Sequence, residues 1–402
     1  MSTNVDFADD NFVIEAAWLF SGKSEPVPNV AIEVTDGVIS DIRSVRQTKS
    51  RHVIIPPIVN AHTHLELSDC RSPIPRGETF PDWIRKVIAH RATRGEPDNA
   101  LALGIREITG SSTSLVADTV PMGQPLAAET PFERVSFVEY IGLTDDRIDA
   151  ATEHAKTTFG PGTETKSQLG ISPHAPYSVR PDLLDKLIDI ARAASVPVMM
   201  HLGETREELE LLEHGSGPFA DMLKAFGIWE PGLFPKLSLC DYIDRVCQAP
   251  RALFAHGNYF GQKELDLLAA RPNATVVFCP RTHQHFGHSP HPWQKMIDRG
   301  INVALGTDSR ASNPDLSVWN EAVALVHEAE GRSGERLLRM LTANDCLKLA
   351  EAPGEMSPGN AASFTLMERR KSSGSGWNLL WSSQPVSTCS SGRWLRSAPG
   401  EH

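Results

Sequence analysis

Two histidines stand two residues apart in the segment VNAHTHLELSD, which directly follows the apolar stretch HVIIPPI. Alternate residues of a β-strand point to the same side, so the imidazoles of His62 and His64 are predicted to face one way. Such a pair can bind a metal ion, although two ordinary polar side chains at a strand end would have the same spacing. A metal site requires that other strands supply further ligands.

Further polar residues occupy the same kind of position along the chain. They are His174 in SPHAPY, His201 and Glu204 in HLGET, His256 in FAHGN and Asp308 in LGTDS. A single histidine in such a loop is usually an ordinary hydrogen-bonding residue. Several of them at the ends of successive strands favour a common site, because barrel enzymes assemble their active sites at the carboxyl ends of the strands.

The residue types predict the chemistry of this site. Imidazole and carboxylate together suit zinc or iron(II), and a catalytic metal site leaves one position open for water. Three histidines and one aspartate would hold one such divalent ion, which lowers the pKa of a bound water toward ~7. Asp308 could take the proton of that water, and Glu204 could deliver a proton to the substrate.

Short β-rich runs alternate with helical segments through the middle of the chain. Near-continuous apolar runs suit strands that are buried on both faces, and RPDLLDKLIDIARAA has helical periodicity. The alternation predicts an α/β fold, a (β/α)8 TIM-type barrel. Strands are predicted in VIIPPIV, STSLVADT, RVSFVEYIG, SQLGISPHA, PVMMHLGE, RALFAHGN, ATVVFCPR and NVALGTDS, and helices over residues 82–91, 98–109, 148–158, 180–194, 262–270 and 316–330.

The two ends of the chain have a different pattern. Residues 11–50 show alternating strands around an Asp-Gly turn, and SPGNAASFTLM and SGRWL repeat this pattern near the other end. We therefore expect a small composite β-sandwich of residues 1–55 and 353–402 beside a barrel of residues 56–352. The segment EPGLFPKLSLCDYIDRV, between strands five and six, is predicted to be an insertion over the barrel mouth.

Composition excludes several classes of function. The chain has 402 residues and a net charge of −11, and it lacks a basic cluster interleaved with aromatic residues, which argues against binding nucleic acid or an anionic membrane. No stretch approaches the ~20 apolar residues of a membrane helix, and the acidic start MSTNVDFADD is unlike a signal peptide. The expected location is cytoplasmic, with reduced cysteines, since the six cysteines form no CxxC pair.

The sequence resembles the amidohydrolase superfamily, because the strings NAHTH, HLGE, AHG and GTDS occur along it in the order expected for that superfamily. The resemblance implies a distorted metal-binding barrel with a β-sandwich built from both chain ends. It also implies that Glu204 shuttles protons and that His256 orients water or substrate. The metal ligands it implies are His62, His64, His201 and Asp308.

The resemblance also narrows the branch of the superfamily. Strand four ends in His174, where two-metal branches have a bridging lysine, and this favours the single-metal deaminases. SPHAPYS resembles deaminases of adenine nucleosides such as S-adenosylhomocysteine, which implies that His174 contacts the substrate. NAHTHLELS and CPRTHQHFGH are more similar to the 6-aminodeoxyfutalosine deaminases of menaquinone biosynthesis.

The implied reaction is hydrolytic deamination of an amino-purine in a small nucleoside-like substrate. Water attacks C6 while Glu204 protonates the adjacent ring nitrogen, His256 stabilises the developing charge, and ammonia leaves. A homodimer is the assembly that the resemblance suggests. Two alternatives stay open: hydrolysis at another ring, such as guanine, cytosine or a chlorinated triazine, and a non-catalytic relative kept for binding.

Four other residues are weaker candidates for the substrate pocket. Arg281 and His283 are expected to face it from the segment CPRTHQHFGHSPHP, whose histidines favour a solvated or substrate-facing loop over a second metal site. Glu66 either binds ribose hydroxyls or makes a buried structural hydrogen bond. Trp83 is expected to pack in the core rather than on a base.

Overall fold

The computed structural model describes residues 11–22, 24–126, 129–161, 168–326, 334–342, 356–370 and 376–395. The predicted domain boundary at residues 352–353 lies outside these ranges. Within them, no helix is both long and apolar enough to cross a membrane.

The strands of the described residues fall into three groups along the chain. The first group is β1 Phe12–Leu19, β2 Val27–Thr35, β3 Val38–Ser44 and β4 His52–Ile55. The central group is β5 Ile58–His64, β6 Thr113–Pro121, β7 Glu133–Tyr140, β8 Leu169–Pro173, β9 Val198–Leu202, β10 Ala252–His256, β11 Ala274–Phe278, β12 Asn302–Leu305 and β13 Asp308–Ser309. The last group is β14 Phe364–Arg369, β15 Ser383–Ser390 and β16 Arg393–Leu395.

The central strands form one parallel sheet that curls into a TIM-like barrel. Each of β5 to β11 pairs with the next strand in sequence, and β13, which follows β12 in the chain, pairs with β5 at the other end of the sheet. Only Gly306 and Thr307 separate β12 from β13, so these two pieces act together as the eighth strand. Small and large side chains share the interior, where a Cβ on Gly170 would lie 2.5 Å from the ring of Phe137.

Helices follow the barrel strands and cover the sheet. The predicted helices are confirmed within a few residues at each end, except that the last lies partly outside the described residues. The helices are α1 Phe80–Thr93, α2 Pro97–Gly110, α3 Asp145–Phe159, α4 Pro181–Ala194, α5 Arg206–His214, α6 Pro218–Ala225, α7 Leu239–Val246, α8 Gln262–Ala269, α9 Pro280–Phe286, α10 Trp293–Asp298, α11 Val318–Val326, α12 Gly334–Leu341 and α13 Gly376–Trp381.

The predicted strand VIIPPIV is wrong as a single element. Its first half belongs to β4, which pairs with β1 and β14, and its second half begins β5 of the barrel. Pro56 and Pro57 lie between the two halves, and proline cannot donate the hydrogen bonds that a central strand needs. The chain therefore changes sheets at this pair.

The predicted insertion EPGLFPKLSLCDYIDRV is also only partly right. Its second half is α7, which begins with a capping box at Ser238 and Asp241 and packs in the main core beside α4 and α8. This is the ordinary barrel helix after strand five. The additional structure between β9 and α7 consists of α5, α6 and the loop that follows them. Phe226 and Ile228 of this loop line a cavity that is described below.

Both chain ends contribute to one seven-stranded sheet beside the barrel. Its strand order is β16-β15-β14-β4-β1-β2-β3, and an isolated bridge joins Val38 of β3 to Ala361. A separate apolar core lies against it, with Ile32, Phe364 and Trp394 among its members. The composite origin of this sheet is observed, whereas its description as a two-layer sandwich and the domain boundaries remain predictions.

Candidate metal centre and substrate cavity

The barrel brings the predicted metal ligands together at the carboxyl ends of its strands. His62 and His64 end β5, and His201 lies near the end of β9, all three buried. One ligand atom from each of them lies within 4.8 Å of the others. Asp308, at the start of β13, places Oδ1 3.7 Å from His62 Nε2 and 3.6 Å from His64 Nε2.

The donors fit a divalent cation. Among the described residues, the buried atoms His62 Nε2 and His64 Nδ1 lack a hydrogen-bond partner, which is costly unless a ligand satisfies them. Burial lowers the pKa of His64 and that of His201, the latter to about 3, so both rings are neutral and can coordinate. Although burial opposes it, the nearby histidines, His62 first among them, keep the pKa of Asp308 below its usual range.

Neighbouring residues fix the orientation of these ligands. His201 Nδ1 donates to the carbonyl oxygen of His174 at 2.9 Å, which leaves Nε2 free to coordinate. Ser312 Oγ donates to Asp308 Oδ2 at 2.9 Å, and Thr63 Oγ1 donates to the Asp308 carbonyl at 2.9 Å. Asp308 itself has a φ of 55°, a strained conformation of the kind found at functional sites.

Glu204 and His256 lie beside this cluster. Both are nearly fully buried, and His256 Nε2 lies 3.5 Å from Glu204 Oε1. Burial and the nearby Asp308 and Glu208 carboxylates raise the pKa of Glu204 well above its usual value, which favours a protonated acid able to donate. Burial lowers the pKa of His256, whose φ of 74° is also left-handed.

Hydrogen bonds from behind hold the Glu204 backbone in place. The Glu208 carboxylate accepts the backbone N–H groups of Gly203 at 2.9 Å and Glu204 at 2.8 Å. Asn258 Nδ2 donates to the Glu204 carbonyl at 3.0 Å. Burial raises the pKa of Glu208 to about 7, so this support weakens when the carboxyl is protonated.

His174 faces the same cavity, next to an acid that the sequence analysis missed. Its Nδ1 hydrogen-bonds to Ser178 Oγ at 2.6 Å, and its Nε2 lies 3.9 Å from Glu139 Oε1. Glu139 is buried near the end of β7, and within the described residues its Oε1 has no hydrogen-bond partner. Its place near the end of an apolar strand, RVSFVEYIG, was the available signal. Burial raises the pKa of Glu139, and Arg91 opposes this.

These side chains line a cavity of about 250 Å3. Its lining includes His64, His201, Glu204, His256, Asp308 and Ser309, together with Arg91, Glu139, His174, Tyr177 and Ser178. Most other lining residues are apolar. Trp83 is one of them, yet it also packs on Phe80 and Phe286 and donates from Nε1 to the Ile74 carbonyl, so the expected core packing is confirmed.

Three predicted substrate contacts are corrected, because their side chains do not line this cavity. Arg281 is held by Asp315 and Glu321, with N···O distances of 2.7 and 2.6 Å. His283 Nε2 bonds to the carbonyl oxygen of Ser289 at 2.8 Å.

Glu66 is the third of these residues. It is buried and pairs with Arg91 and with Arg94, whose Nη2 lies 2.6 Å from Glu66 Oε2. The structural alternative therefore applies to Glu66, and its partner Arg91 is the residue that reaches the cavity.

The histidine-rich segment after strand seven is a loop only in its second half. It begins as α9, and each of its other histidines also has a protein partner. His285 Nε2 bonds to the Ile74 carbonyl, His288 Nδ1 to the Tyr259 hydroxyl, and His291 Nε2 to the carbonyl of His256 at 2.8 Å. The segment thus supports the strained backbone at His256.

A model of the amidohydrolase family matches residues 53–394. The chain belongs to the amidohydrolase family. This amidohydrolase is a hydrolase acting on C–N bonds. It is 26% identical over 385 residues to the 5-methylthioadenosine/S-adenosylhomocysteine deaminase of Pyrococcus furiosus, covering 89% of this chain and 87% of that protein. It is 30% identical over 287 residues to the aminodeoxyfutalosine deaminase of Deinococcus radiodurans, covering 67% of this chain and 66% of that protein.

Solved structures share the fold of this amidohydrolase. Helicobacter pylori aminofutalosine deaminase in complex with methylthio-coformycin matches with a TM-score of 0.80 and 21% identity, over 95% of this chain and 99% of that chain. An adenosine deaminase from Xanthomonas campestris with bound zinc matches with a TM-score of 0.69 and 18% identity, over 95% of this chain and 92% of that chain. At these identities the likeness shows the barrel fold alone.

Proposed function

We propose that this amidohydrolase is a metal-dependent deaminase of an adenine-bearing nucleoside and that it releases ammonia. The observation that carries the proposal is the buried acid Glu204 beside His256, in a cavity that is also lined by Asp308 and by His64 and His201 of the three-histidine cluster. Relatives named as deaminases of adenosine derivatives support the same reaction class. Our first candidate substrate is 6-aminodeoxyfutalosine, and 5-methylthioadenosine or S-adenosylhomocysteine is the second.

The proposed ligands of one divalent ion are His62, His64, His201 and Asp308. An ion held there acts as a Lewis acid and lowers the pKa of a water molecule in the site. Zinc is the first choice because a structural relative contains it, and the donor set suits iron(II) equally well.

The protein's own residues supply the proton transfers. Asp308 accepts the proton of the attacking water, because its carboxylate stays ionised beside the histidines. Glu204 delivers a proton to the purine nitrogen next to C6, for which its raised pKa suits it. His256 hydrogen-bonds the oxygen that develops negative charge at C6, and its ring stays neutral because it is buried.

The rest of the substrate extends from C6 toward the middle of the cavity. His174 Nε2 and Glu139 Oε1 are too far apart to hydrogen-bond each other, at 3.9 Å, so both atoms can contact a ligand. We assign them to the sugar, where His174 can donate or accept and Glu139 accepts from a hydroxyl group. A sugar hydroxyl would satisfy the Glu139 oxygen that has no protein partner.

The experiment is turnover by protein reconstituted with one equivalent of zinc or of iron(II). We expect loss of the aminopurine absorption with equimolar ammonia, and about one metal ion per chain. The substrates to compare are 6-aminodeoxyfutalosine, 5′-methylthioadenosine, S-adenosylhomocysteine and adenosine, with guanine, cytosine and a chlorotriazine as controls. Metal-loaded protein that leaves every adenine nucleoside unchanged would contradict the proposal.

The outcomes of this panel separate the alternatives. Ammonia from guanine or cytosine, or chloride from the triazine, would assign a different ring to the same machinery. A folded protein that binds neither zinc nor iron(II) would support a non-catalytic relative. Sedimentation of the same sample tests the homodimer that we propose from the family resemblance.

A further inference from the structure

The first turn of α9 is connected to Asp308 by buried side chains. This turn contains Arg281, which was predicted to contact the substrate, and Thr282, whose side chain is almost fully buried. Neither of them lines the substrate cavity. Each instead begins a chain of hydrogen bonds that ends at Asp308.

The chain from Thr282 reaches the carboxylate of Asp308. Thr282 Oγ1 and Ser312 Oγ lie 2.9 Å apart, and Ser312 Oγ donates to Asp308 Oδ2 at 2.9 Å. A hydroxyl group has a single proton, so the bond between the two hydroxyls takes its proton from Thr282 when Ser312 donates to Asp308. Accepting this bond strengthens the one that Ser312 donates to the charged carboxylate. Thr282 and Ser312 are both buried, so the chain is closed to water.

The chain from Arg281 reaches the backbone at Asp308. Arg281 Nε donates to Glu321 Oε1 at 2.6 Å, and Asn313 Nδ2 donates to the same oxygen at 2.7 Å. Asn313 Nδ2 also donates to the carbonyl oxygen of Thr307 at 2.6 Å. Glu321 and Asn313 are fully buried, so losing one partner would leave the others without a replacement from solvent.

The Thr307 carbonyl belongs to the peptide bond that leads into Asp308. The angle φ of Asp308 is the rotation between this peptide group and the rest of the residue, so fixing the carbonyl restricts φ. Its value of 55° is in the left-handed region, which a residue with a side chain keeps only where its surroundings impose it. On the other side, the Asp308 carbonyl accepts from Thr63 Oγ1 at 2.9 Å. Both peptide groups next to the Asp308 side chain are therefore held.

We propose that Thr282 and Arg281 are positioning residues, which act on the reaction through Asp308. Thr282 sets the direction of the carboxylate, and Arg281 sets the backbone conformation. The inference rests on the proposed deaminase function, in which Asp308 accepts the proton of the attacking water. It gives the segment CPRTH a role that involves no contact with the substrate.

Holding the carboxylate gives its two oxygens different surroundings. Ser312 binds Oδ2 of Asp308, whereas Oδ1 lies 3.7 Å from His62 Nε2 and 3.6 Å from His64 Nε2. Oδ1 thus faces the proposed metal centre. A carboxylate that is free to rotate spends less time in the geometry that proton transfer requires. Loosening it should lower kcat with little change in KM, because the substrate itself makes the same contacts.

The test measures kcat and KM of zinc-loaded variants with the adenine nucleoside that the wild type deaminates fastest in the panel above. Thr282→Val should lower kcat about tenfold and change KM by less than about twofold, because a methyl group cannot approach Ser312 Oγ to 2.9 Å and displaces it. Thr282→Ser keeps the hydroxyl group and should keep kcat within about twofold of the wild type. Thr365→Val is the matched control, because Thr365 Oγ1 is also buried beside a hydroxyl, 3.3 Å from Thr388 Oγ1, but in the composite sheet.

A second measurement does not depend on turnover. The visible absorption of cobalt(II) reports the geometry of its ligands, and Asp308 is a proposed ligand. Thr282→Val should bind one equivalent of cobalt(II), as the wild type does, but with a shifted spectrum. Arg281→Lys keeps the positive charge but loses the forked contact, so it should also shift the spectrum and should lower kcat about fivefold. Arg245→Lys is its control, at an arginine of α7 that pairs with the exposed Asp185.

The outcomes distinguish this inference from the function beneath it. If Thr282→Val has the kcat and the cobalt spectrum of an active wild type, the inference is wrong and the deaminase proposal stands. If the wild type deaminates no adenine nucleoside, the deaminase proposal fails, and the cobalt spectrum still decides whether Thr282 positions Asp308.

Two further variants separate hydrogen bonding from packing. Ser312→Ala removes the donor to Asp308 without adding a methyl group beside it, and it should reproduce the lower kcat and the shifted spectrum even if Thr282→Val does not fold. A Ser312→Ala variant that behaves like the wild type would overturn the inference. The same holds if Thr282→Ser loses as much kcat as Thr282→Val, since the hydroxyl group would then have no part in the effect.

Discussion

Glu204 is the residue whose replacement tests the proposed proton transfer most directly. We expect Glu204→Gln to lower kcat by about 10²–10⁴-fold, because the amide cannot protonate the purine nitrogen. Metal content should stay near that of the wild type, since Glu204 is not among the proposed ligands. Glu213→Gln is the control, an exposed acid on the helix that follows Glu204. Equal activity of the two variants would remove Glu204 from the mechanism.

Glu139 can be tested through the group that it is proposed to bind. Glu139→Gln should raise KM for adenosine about tenfold or more, with a smaller change in kcat, because a charge-assisted hydrogen bond to the sugar is weakened. The same substitution should have little effect on KM for 2′,3′-dideoxyadenosine, which lacks the 2′ and 3′ hydroxyl groups of the sugar. Glu153→Gln, on the exposed face of α3, is the matched control. An equal loss on both substrates would indicate a structural role.

Glu208 gives the protein a pH-dependent stability. Its folded-state pKa of about 7 is above the usual value of 4.5, so between these values the folded state binds more protons than the unfolded state. The free energy of unfolding should therefore fall as pH rises from about 4.5 to 7, by at most ~3.4 kcal/mol from this group. Glu208→Gln should flatten this part of the curve, measured by urea unfolding at several pH values. An unchanged slope would exclude the effect.

The clustering of the proposed ligands was predictable from sequence, whereas the cavity wall was not. His62, His201 and Asp308 can be identified from the sequence as neighbours, because the strand ends are recognisable there and the strand ends of any barrel converge. Arg281 and His283 were misplaced because they lie on α9, a short helix whose inward face depends on packing. The acids that hold Arg281, the half-buried Asp315 and the buried Glu321, are distant in sequence from it.

At the scale of elements, the contact of α2 with the turn after β5 links packing to the metal site. Gly104 of α2 lies so close to this turn that a Cβ would be 2.6 Å from Ser68 Oγ and 3.1 Å from the Leu65 carbonyl. Leu65 directly follows the proposed ligand His64. A larger side chain here must therefore displace the turn or the helix.

We expect Gly104→Val to lower the free energy of unfolding by about 1–3 kcal/mol and to weaken metal binding as well. Gly110→Ala is the matched control on the same helix, because nothing lies within 4 Å of the added Cβ. That control should be neutral or slightly stabilising. Chemical denaturation and metal titration provide the two readouts. If Gly104→Val loses stability but binds metal as before, the turn does not position His64.

The boundaries between elements were harder to predict than the elements themselves. The run VIIPPIV has the composition of one buried strand, and only the pairing partners reveal that β4 and β5 belong to different sheets. Likewise, α7 follows a proline- and glycine-rich stretch that indicated a loop. Its amphipathic face identifies it as a core helix only once α4 and α8 are in place.

At the scale of the whole molecule, metal binding should stabilise the fold. A ligand that binds only the folded state adds about 4 kcal/mol when it is present at 1,000 times its Kd. Removing the metal with a chelator should therefore lower the melting temperature by several degrees, and adding zinc should restore it. The double variant His62→Ala, His64→Ala should melt at the same temperature with and without zinc. Stabilisation of this variant by zinc would place the metal elsewhere.

The composite sheet and the barrel share their largest apolar core. Phe20, which follows β1, is fully buried, packs on Trp377 with ring centroids 5.1 Å apart, and belongs to the same core cluster as barrel residues such as Leu338. Val53 and Ile55 of β4 belong to the same core cluster. Because this core is continuous across the two sheets, neither can lose its packing without exposing the other.

We therefore expect the chain to unfold in one transition, detected at the same denaturant concentration by circular dichroism and tryptophan fluorescence. Phe20→Ala should lower the free energy of unfolding by about 3–5 kcal/mol and keep a single transition. Val13→Ala is the control on β1, the strand that precedes Phe20; its side chain is half exposed, so the substitution should change stability by about 0.5 kcal/mol or less. Two separate transitions in Phe20→Ala would mean that the composite sheet is an independent folding unit, despite the core that it shares with the barrel.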